Sequence, residues 1–138
     1  MKRIDVLSDT HGHLSDAVLK QLEGCDLIVH AGDITSESDY FALCALAPVR
    51  ACLGNNDWAG EYGRDVTKFA RFEYEGLRFS VNHYRERVEP DSFDVGVCGH
   101  THVPFIKRLP HDRLLVNPGS PTFPRSASGP TMARLWVE

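Results

Sequence analysis

The chain has 138 residues and a formal net charge of −4, with 42% hydrophobic and 25% charged residues. This length suits one domain over residues 1–138 with an apolar core that needs no disulfides. The sequence contains no run of Lys and Arg, which argues against a surface that binds nucleic-acid backbones. No apolar stretch is long enough to cross a membrane. The four cysteines lack C-x-x-C spacing, and the N-terminus lacks a signal-peptide pattern, so we expect reduced thiols and a cytoplasmic protein.

Strands and helices alternate in the first half of the chain. Apolar runs predict the strands, Ser15 stands at a helix N-cap position, and Gly24 and Pro48 mark helix ends. The predicted elements are a strand at 4–8, a helix at about 15–23, a strand at 26–31, a helix at 35–47 and a strand at 49–53. This order predicts parallel strands, in which functional residues gather just beyond the C-terminal ends.

The second half has the pattern of short strands. Apolar residues alternate on both sides of Glu75 and Gly76, which predicts a hairpin. Further strands are predicted at 95–98, 103–107, 114–116 and 132–137, with a turn at 110–112. We therefore expect an α/β fold of two packed sheets with helices outside. Residues 117–130, rich in Pro, Ser and Gly, form the one long irregular stretch and could carry function.

Polar residues of similar type follow several of these strands. They are Asp9 and His11 after the first, Asp33 after the second, Asn55 after the third, His83 after the hairpin, and His100 and His102 after the strand at 95–98. Each motif alone is equally compatible with a surface turn. The clustering of four of the seven histidines at strand ends is not explained in that way. His13, His30 and His111 lack this setting, and His30 is interpreted as a residue of the core or of the shell behind the ligands.

The candidate residues have the composition of a metal site. Aspartate, histidine and asparagine without cysteine suit Mn²⁺, Fe²⁺ or Zn²⁺. Their number exceeds the needs of one ion, and two-metal hydrolases commonly hold ions about 3.5–4 Å apart with a bridging carboxylate. The sequence therefore predicts two divalent ions, with Mn²⁺ first and Fe²⁺, Zn²⁺, Ni²⁺ or Mg²⁺ as alternatives.

The ordered motifs S-D-T-H-G, G-D-I, G-N-N-D, a later His, G-H-T-H-V-P and N-P-G-S resemble those of the calcineurin-like metallophosphoesterases. The resemblance covers residues 4–125 and is to a branch of small stand-alone phosphodiesterases that also includes a retromer subunit. It implies a four-layer α/β/β/α sandwich of two packed mixed β-sheets flanked by helices. It also implies that Asp33 bridges the two metals, and that water activated by them is the nucleophile. The remaining implied ligands are Asp9, His11 and His102 for the first metal, and Asn55, His83 and His100 for the second.

Three positions depart from the family pattern. Tyr84 stands where a glycine usually follows the ligand histidine, and the segment 84–94, which contains Pro90, is short for the helix usually found there. These two differences predict an open cleft lined or narrowed by Tyr84. Asn56 replaces the catalytic histidine of monoesterase branches, and an amide cannot act as a general acid.

The sequence therefore predicts a phosphodiesterase that acts on a small-molecule phosphate ester. The alternatives are a phosphomonoesterase or nucleotide pyrophosphohydrolase on the same centre, or a binding module that keeps the fold without catalysis. Arg125 is either a surface residue or a ligand of a phosphate oxygen, and Asn117 could orient the metal ligands from behind. The oligomeric state is not predicted.

Overall fold

Two mixed β-sheets form most of the regular structure in the computed structural model, which describes residues 1–89 and 92–138. The strands are β1 (Lys2–Leu7), β2 (Leu27–His30), β3 (Val49–Ala51), β4 (Phe69–Tyr74), β5 (Leu77–Asn82), β6 (Val95–Val97), β7 (Phe105–Leu109), β8 (Arg113–Asn117) and β9 (Ala133–Val137). The first sheet has the order β3-β2-β1-β9 and the second β4-β5-β6-β8-β7. Pro90 lies outside the described residues.

The first sheet is built from parallel strands linked by helices. β1 pairs with β2 in the register Ile4 to Leu27, β2 pairs with β3, and β9 returns antiparallel to β1. The helices are α1 (Asp16–Leu22) and α2 (Glu37–Cys44). Ser15 accepts a hydrogen bond from the backbone N–H of Val18, which confirms the predicted N-cap. α2 is shorter than the predicted range 35–47 and is capped by Ser36.

The second sheet begins with the predicted hairpin. Glu75 and Gly76 have φ values of 51° and 79°, as a two-residue hairpin turn requires, and Tyr74 pairs with Leu77. β7 starts at Phe105 and not at residue 103, because Pro104 has no N–H to donate to a strand ladder. Parallel pairing of β5 with β6 and of β6 with β8 brings the carboxyl ends of these three strands together.

The core lies between the two sheets. Side chains from both fill it, namely Ile4, Val6, Leu27, Val29, Phe79, Val81, Val95 and Val97. On the outer face of the first sheet, Leu7 and Ile28 pack against Leu22 of α1 and Leu43 of α2. The two-sheet α/β fold is therefore confirmed, with both α-helices on this side.

The outer face of the second sheet has a lighter cover. Phe93 and Leu115 pack there with Val88 and Cys98. The described part of the segment 84–94 contains a short 3-10 helix (Arg85–Arg87), which is shorter than the helix expected there from the family. No helix among residues 1–89 and 92–138 is long and apolar enough to span a membrane.

Candidate metal centre

Most of the predicted ligands lie on strained backbone at the carboxyl ends of the strands. Five of the seven have left-handed conformations, Asp9 (φ 56°), His11 (48°), Asp33 (61°), His100 (72°) and His102 (62°). Such a conformation costs a non-glycine residue about 1–2 kcal/mol and persists where the surroundings enforce it, often at functional sites. Backbone hydrogen bonds from Asp9 to Gly32 and from His11 to Asp33, both 2.9 Å, tie the first two loops together.

Asp9 occupies the middle of the cluster and is fully buried. Its Oδ2 accepts hydrogen bonds from the Ser8 hydroxyl (2.6 Å) and the His100 backbone N–H (2.9 Å). Among the described residues its Oδ1 has no hydrogen-bond partner. That oxygen instead lies 3.6 Å from His11 Nε2, 3.3 Å from His102 Nε2 and 3.8 Å from His83 Nε2. A buried anionic oxygen without a donor is costly, and a cation held between it and the ring nitrogens would remove that cost.

Two of the imidazoles are oriented by backbone carbonyls. The Nδ1 atom of His83 lies 2.8 Å from the Ala31 oxygen, and that of His102 lies 2.6 Å from the Phe123 oxygen. A carbonyl oxygen only accepts, so Nδ1 carries a hydrogen in each ring, and Nε2 is the ring atom that faces the carboxylates. This is the arrangement that metal-ligating histidines commonly have.

The ring nitrogens approach one another closely in two pairs. His11 Nε2 is 3.2 Å from His102 Nε2, and His100 Nδ1 is 3.3 Å from His83 Nε2. Either a shared proton or a metal ion relieves the repulsion between lone pairs at such distances. The donor set therefore fits divalent ions.

The possible ligands fall into two overlapping groups. Asp9, His11 and His102 form one, and Asp9, Asp33 and His83 form the other, each with its ligand atoms within 4.8 Å of one another. Asp33 also touches both, because its Oδ2 lies 3.7 Å from His11 Nε2 and 3.3 Å from His83 Nε2. Both carboxylates therefore lie between the two groups, and Asp9 competes with the predicted Asp33 for the bridging position.

Asn55 and His100 are the two predicted ligands that are exposed, and Asn55 lines an adjacent groove. Its neighbour Asn56 contacts Asp33 instead, through a backbone N–H to Oδ1 (2.9 Å) and the side-chain Nδ2 to Oδ2 (3.1 Å). The six other predicted residues come together in the cluster, with His100 the most exposed of them.

Asp57 is a residue whose part in the site was not predicted. Its carboxylate accepts hydrogen bonds from the backbone N–H groups of Asp33 (2.7 Å), Thr35 (2.9 Å) and Gly54 (2.8 Å) and from the Tyr62 hydroxyl (2.8 Å). These bonds hold the loops after β2 and β3 together. The conspicuous acid at the end of G-N-N-D was the available signal, but spacing alone could not separate a ligand from a residue that binds backbone amides.

The irregular segment 117–130 holds the remaining loops. Asn117 donates from Nδ2 to the Gly99 carbonyl (3.1 Å) and the Thr101 hydroxyl (3.3 Å). The Ser120 hydroxyl donates to the Asp9 carbonyl (2.8 Å) and accepts from the Phe123 backbone N–H (2.8 Å). The motif N-P-G-S thus joins the loops that carry Asp9, His100 and His102.

Two glycines allow the loops to pack directly on the carboxylates. A Cβ atom at Gly99 would lie 2.7 Å from Asp9 Oδ2 and would also collide with the Ser8 hydroxyl. One at Gly54 would collide with the Asp33 carboxylate. Any side chain at these positions would displace a candidate ligand.

The protonation of the cluster follows from its burial and contacts. Burial acts to raise the pKa of Asp33, but hydrogen bonds from His83 and Asn56 outweigh it and lower that pKa to about 2. Burial acts to lower the pKa of His83, while the Asp33 carboxylate more than reverses this and raises it. An ion at His83 Nε2 competes with the proton that this raised pKa favours, so affinity for metal should decrease as the pH is lowered.

His30 lies behind the cluster and is fully buried. Its Nδ1 accepts from the Gly32 backbone N–H (3.1 Å), so Nε2 carries the hydrogen and faces the Thr10 hydroxyl (3.0 Å). Burial lowers the pKa of His30 to about 4. A neutral ring with both nitrogens occupied has no lone pair for a metal, which agrees with its interpretation as a supporting residue.

Known proteins share both the sequence pattern and the architecture. A profile of the calcineurin-like phosphoesterase superfamily domain matches residues 1–138. A probable metallophosphoesterase of Methanothermobacter thermautotrophicus is 38% identical, across 88% of this chain and 78% of the relative. An archaeal phosphodiesterase superposes with a TM-score of 0.75 at 23% identity, across 96% of this chain and 98% of the other. Vps29 of Entamoeba histolytica in complex with Zn²⁺ superposes with a TM-score of 0.77 at 18% identity, across 98% and 86%. These two solved structures show a common fold.

Proposed function

Because the chain belongs to the calcineurin-like phosphoesterase superfamily, we propose that it is a phosphodiesterase that uses two divalent metal ions, with Mn²⁺ as the first candidate. The observation that carries the proposal is the Oδ1 of Asp9, which has no hydrogen-bond partner among the described residues and is buried among the Nε2 atoms of three histidines. In a binding module that has lost its metals, this buried carboxylate oxygen would destabilise the fold with no cation to offset the cost. We also propose a cytoplasmic location, since all four cysteines are free thiols.

Each ion has its own set of proposed ligands. Asp9, His11 and His102 would hold the first, Asn55, His83 and His100 the second, and Asp33 would lie between them. Bound ions would polarise the ester and lower the pKa of a water molecule that attacks phosphorus. Asn55 would have to reach the second ion from the groove that it lines.

The chain's own residues fix the direction of the ligands. The carbonyls of Ala31 and Phe123 hold the two imidazoles. Asn56 and Asp57 hold the loop of Asp33 through four hydrogen bonds in all. Preorganised ligands bind metal without paying for loop ordering at the moment of binding.

The preference for diesters rests on Asn56. Its Nδ2 donates to Asp33, and an amide has no proton to transfer to a departing oxygen. The leaving group must therefore depart as an anion or take its proton from solvent. This favours esters with good leaving groups. Because the monoesterase branches carry a histidine where Asn56 stands, we propose diesters as the substrates.

The test combines metal analysis with turnover of bis(p-nitrophenyl) phosphate and p-nitrophenyl phosphate. We expect two ions per chain, faster hydrolysis of the diester, and loss of both metal and activity in Asp33→Asn. Asp112→Asn is the matched control, since Asp112 has φ 58° against 61° for Asp33 but lies in the exposed turn before β8. Full metal loading without turnover of either ester would favour the binding module. Faster turnover of the monoester would favour the phosphomonoesterase.

A further inference from the structure

Two clefts open beside the candidate metal centre. One combines an aromatic ring with Lys68 and Arg87, and the other combines an aromatic ring with Arg125. Building on the proposed function, we propose that the substrate is a phosphodiester that joins two nucleosides, with one base stacked on Tyr84 and the other on Phe123. The metal centre would then hold the phosphate that links them.

The first cleft, here the Tyr84 groove, has a volume of about 320 Å³ and is lined by Gly54, Asn55, Lys68, Asn82, Tyr84 and Arg87. The Tyr84 ring packs against the imidazoles of His100 (4.8 Å between centroids) and His83 (5.3 Å). This contact places the groove directly at the second proposed metal. A glycine at this position, as in the family pattern, would leave no ring there.

Buried Asn82 fixes both walls of the Tyr84 groove. Its Nδ2 donates to the Lys68 carbonyl (2.9 Å), and its Oδ1 accepts from the Tyr84 backbone N–H (2.8 Å). The Arg87 guanidinium lies over the Tyr84 ring at 5.0 Å from its centroid. A ring that already contacts a guanidinium, and that meets one imidazole edge-on and another at a tilt, is held in place before a ligand arrives.

The second cleft, here the Phe123 cleft, has a volume of about 640 Å³ and is lined by His11, His102, Thr122, Phe123, Pro124 and Arg125. The Phe123 ring is 45% exposed and packs edge-on against His11 (5.8 Å) and His13 (5.5 Å). Its backbone carbonyl orients His102. The Phe123 cleft therefore adjoins the first proposed metal, as the Tyr84 groove adjoins the second.

The charges of the two clefts favour an anionic ligand with polar arms. Within residues 1–89 and 92–138, none of Lys68, Arg87 and Arg125 forms an ion pair with a carboxylate. The carboxylate of Asp57, which also lines the Tyr84 groove, accepts four hydrogen bonds from the protein. Aromatic rings beside basic side chains are the usual means of binding nucleobases without sequence preference. A net charge of −4 and only three such cations limit the ligand to a short one.

The test measures binding and turnover separately. The binding probe is a dinucleotide whose bridging ester oxygens are replaced by methylene groups, with 2-aminopurine as one of its two bases. Stacking quenches 2-aminopurine fluorescence, so titration of the Mn²⁺-loaded protein gives an affinity and a stacking signal. Loss of a stacking ring should weaken binding by about 5- to 100-fold.

Tyr84→Leu and Phe123→Leu should each weaken binding and abolish quenching of the base at their own end, while Tyr84→Phe keeps both. Trp136→Leu, which removes a 59% exposed ring on β9, is the control and should change neither. An affinity no higher than that of dimethyl phosphate, or equal affinities in the two leucine variants and the control, would overturn the inference. Bis(p-nitrophenyl) phosphate turnover tests the proposed function independently, because its small arms do not need both clefts.

Discussion

Removing the metal ions should lower the thermal stability of the protein markedly. Asp9 and Asp33 are only 0% and 2% exposed, and their carboxylates face one cluster of imidazoles. Without cations, one oxygen of Asp9 has no partner among the described residues, and the two carboxylates repel each other. Metal binds the native cluster but finds no comparable site in the unfolded chain, so it stabilises the fold by mass action.

The expected size follows from the number of ions. A ligand at 100 times its dissociation constant stabilises by about 2.7 kcal/mol, so two independent ions would contribute about 5 kcal/mol. For a chain of 138 residues, 1 kcal/mol corresponds to roughly 3–4 °C in Tm. One ion should therefore raise Tm by about 8–11 °C, and two ions by about twice that.

The assay compares Tm by calorimetry in chelator and in Mn²⁺ at 100 times the measured dissociation constant. The difference between the two conditions is the quantity of interest, because removing a carboxylate also changes the metal-free protein. Asp33→Asn should abolish the whole difference if Asp33 bridges both ions, whereas Asp9→Asn should do so if Asp9 is the shared ligand. The matched control Asp112→Asn should retain the wild-type difference.

Two results would refute this account. An unchanged Tm on chelation would mean that the carboxylates do not bind metal in the native state. A shift of one-ion size that neither variant alters would place the ion elsewhere in the chain.

Three further predictions test other parts of the site. Asn56→His should raise turnover of diesters with poor leaving groups by up to about 100-fold if the new ring supplies a transferable proton, or lower metal affinity if the lost bond to Asp33 matters more. Turnover of diesters of graded leaving-group pKa at fixed Mn²⁺ separates these two outcomes. A shallow dependence of the wild-type rate on leaving-group pKa would show that another acid already acts. His30 has a pKa of about 4 in the folded protein against an ordinary 6.5, so the unfolded chain binds more protons between these two pH values. The free energy of unfolding should therefore fall by roughly 3 kcal/mol as the pH drops from 6.5 to 4. Urea titrations in chelator should show a weaker dependence of this free energy on pH for His30→Gln. Gly54→Ala should destabilise the protein by about 1–3 kcal/mol and weaken metal binding. Gly60→Ala is the control, because its Cβ would meet open space and should cost only backbone strain. Equal metal affinities in the two variants would contradict the inference that Gly54 lets its loop pack on the Asp33 carboxylate.

Elements with strong local signals were predicted well from the sequence. The Ser15 cap and the Glu75-Gly76 hairpin depend on residues a few positions apart, and both are present. The start of β7 was misplaced by two residues because the effect of Pro104 on strand pairing was overlooked. The place of β9 in the first sheet depends on its pairing with β1, which is more than 100 residues away along the chain. No local sequence pattern encodes such a pairing.

The site was predicted in its membership more than in its geometry. Glycine and polar residues after strands identified which loops meet, because parallel strands end at one edge of a sheet. The sequence could not show that Asn56 and not Asn55 faces Asp33, since neighbouring asparagines in a turn have equal propensities. Nor could spacing reveal that Asp9 touches both groups of ligands, which depends on how two sheets approach each other.

The strain at the ligands explains why so many residues around them bind backbone atoms. Five left-handed residues at about 1–2 kcal/mol each amount to 5–10 kcal/mol, as much as or more than two ions would contribute at 100 times their dissociation constants. Metal binding alone therefore cannot hold these loops. Hydrogen bonds that Asp57 accepts from the loop backbones, and that Asn117 and Ser120 donate to them, must hold these loops also in the metal-free chain. The metal centre is thus largely formed before metal arrives, and the cost of its geometry is met by the fold.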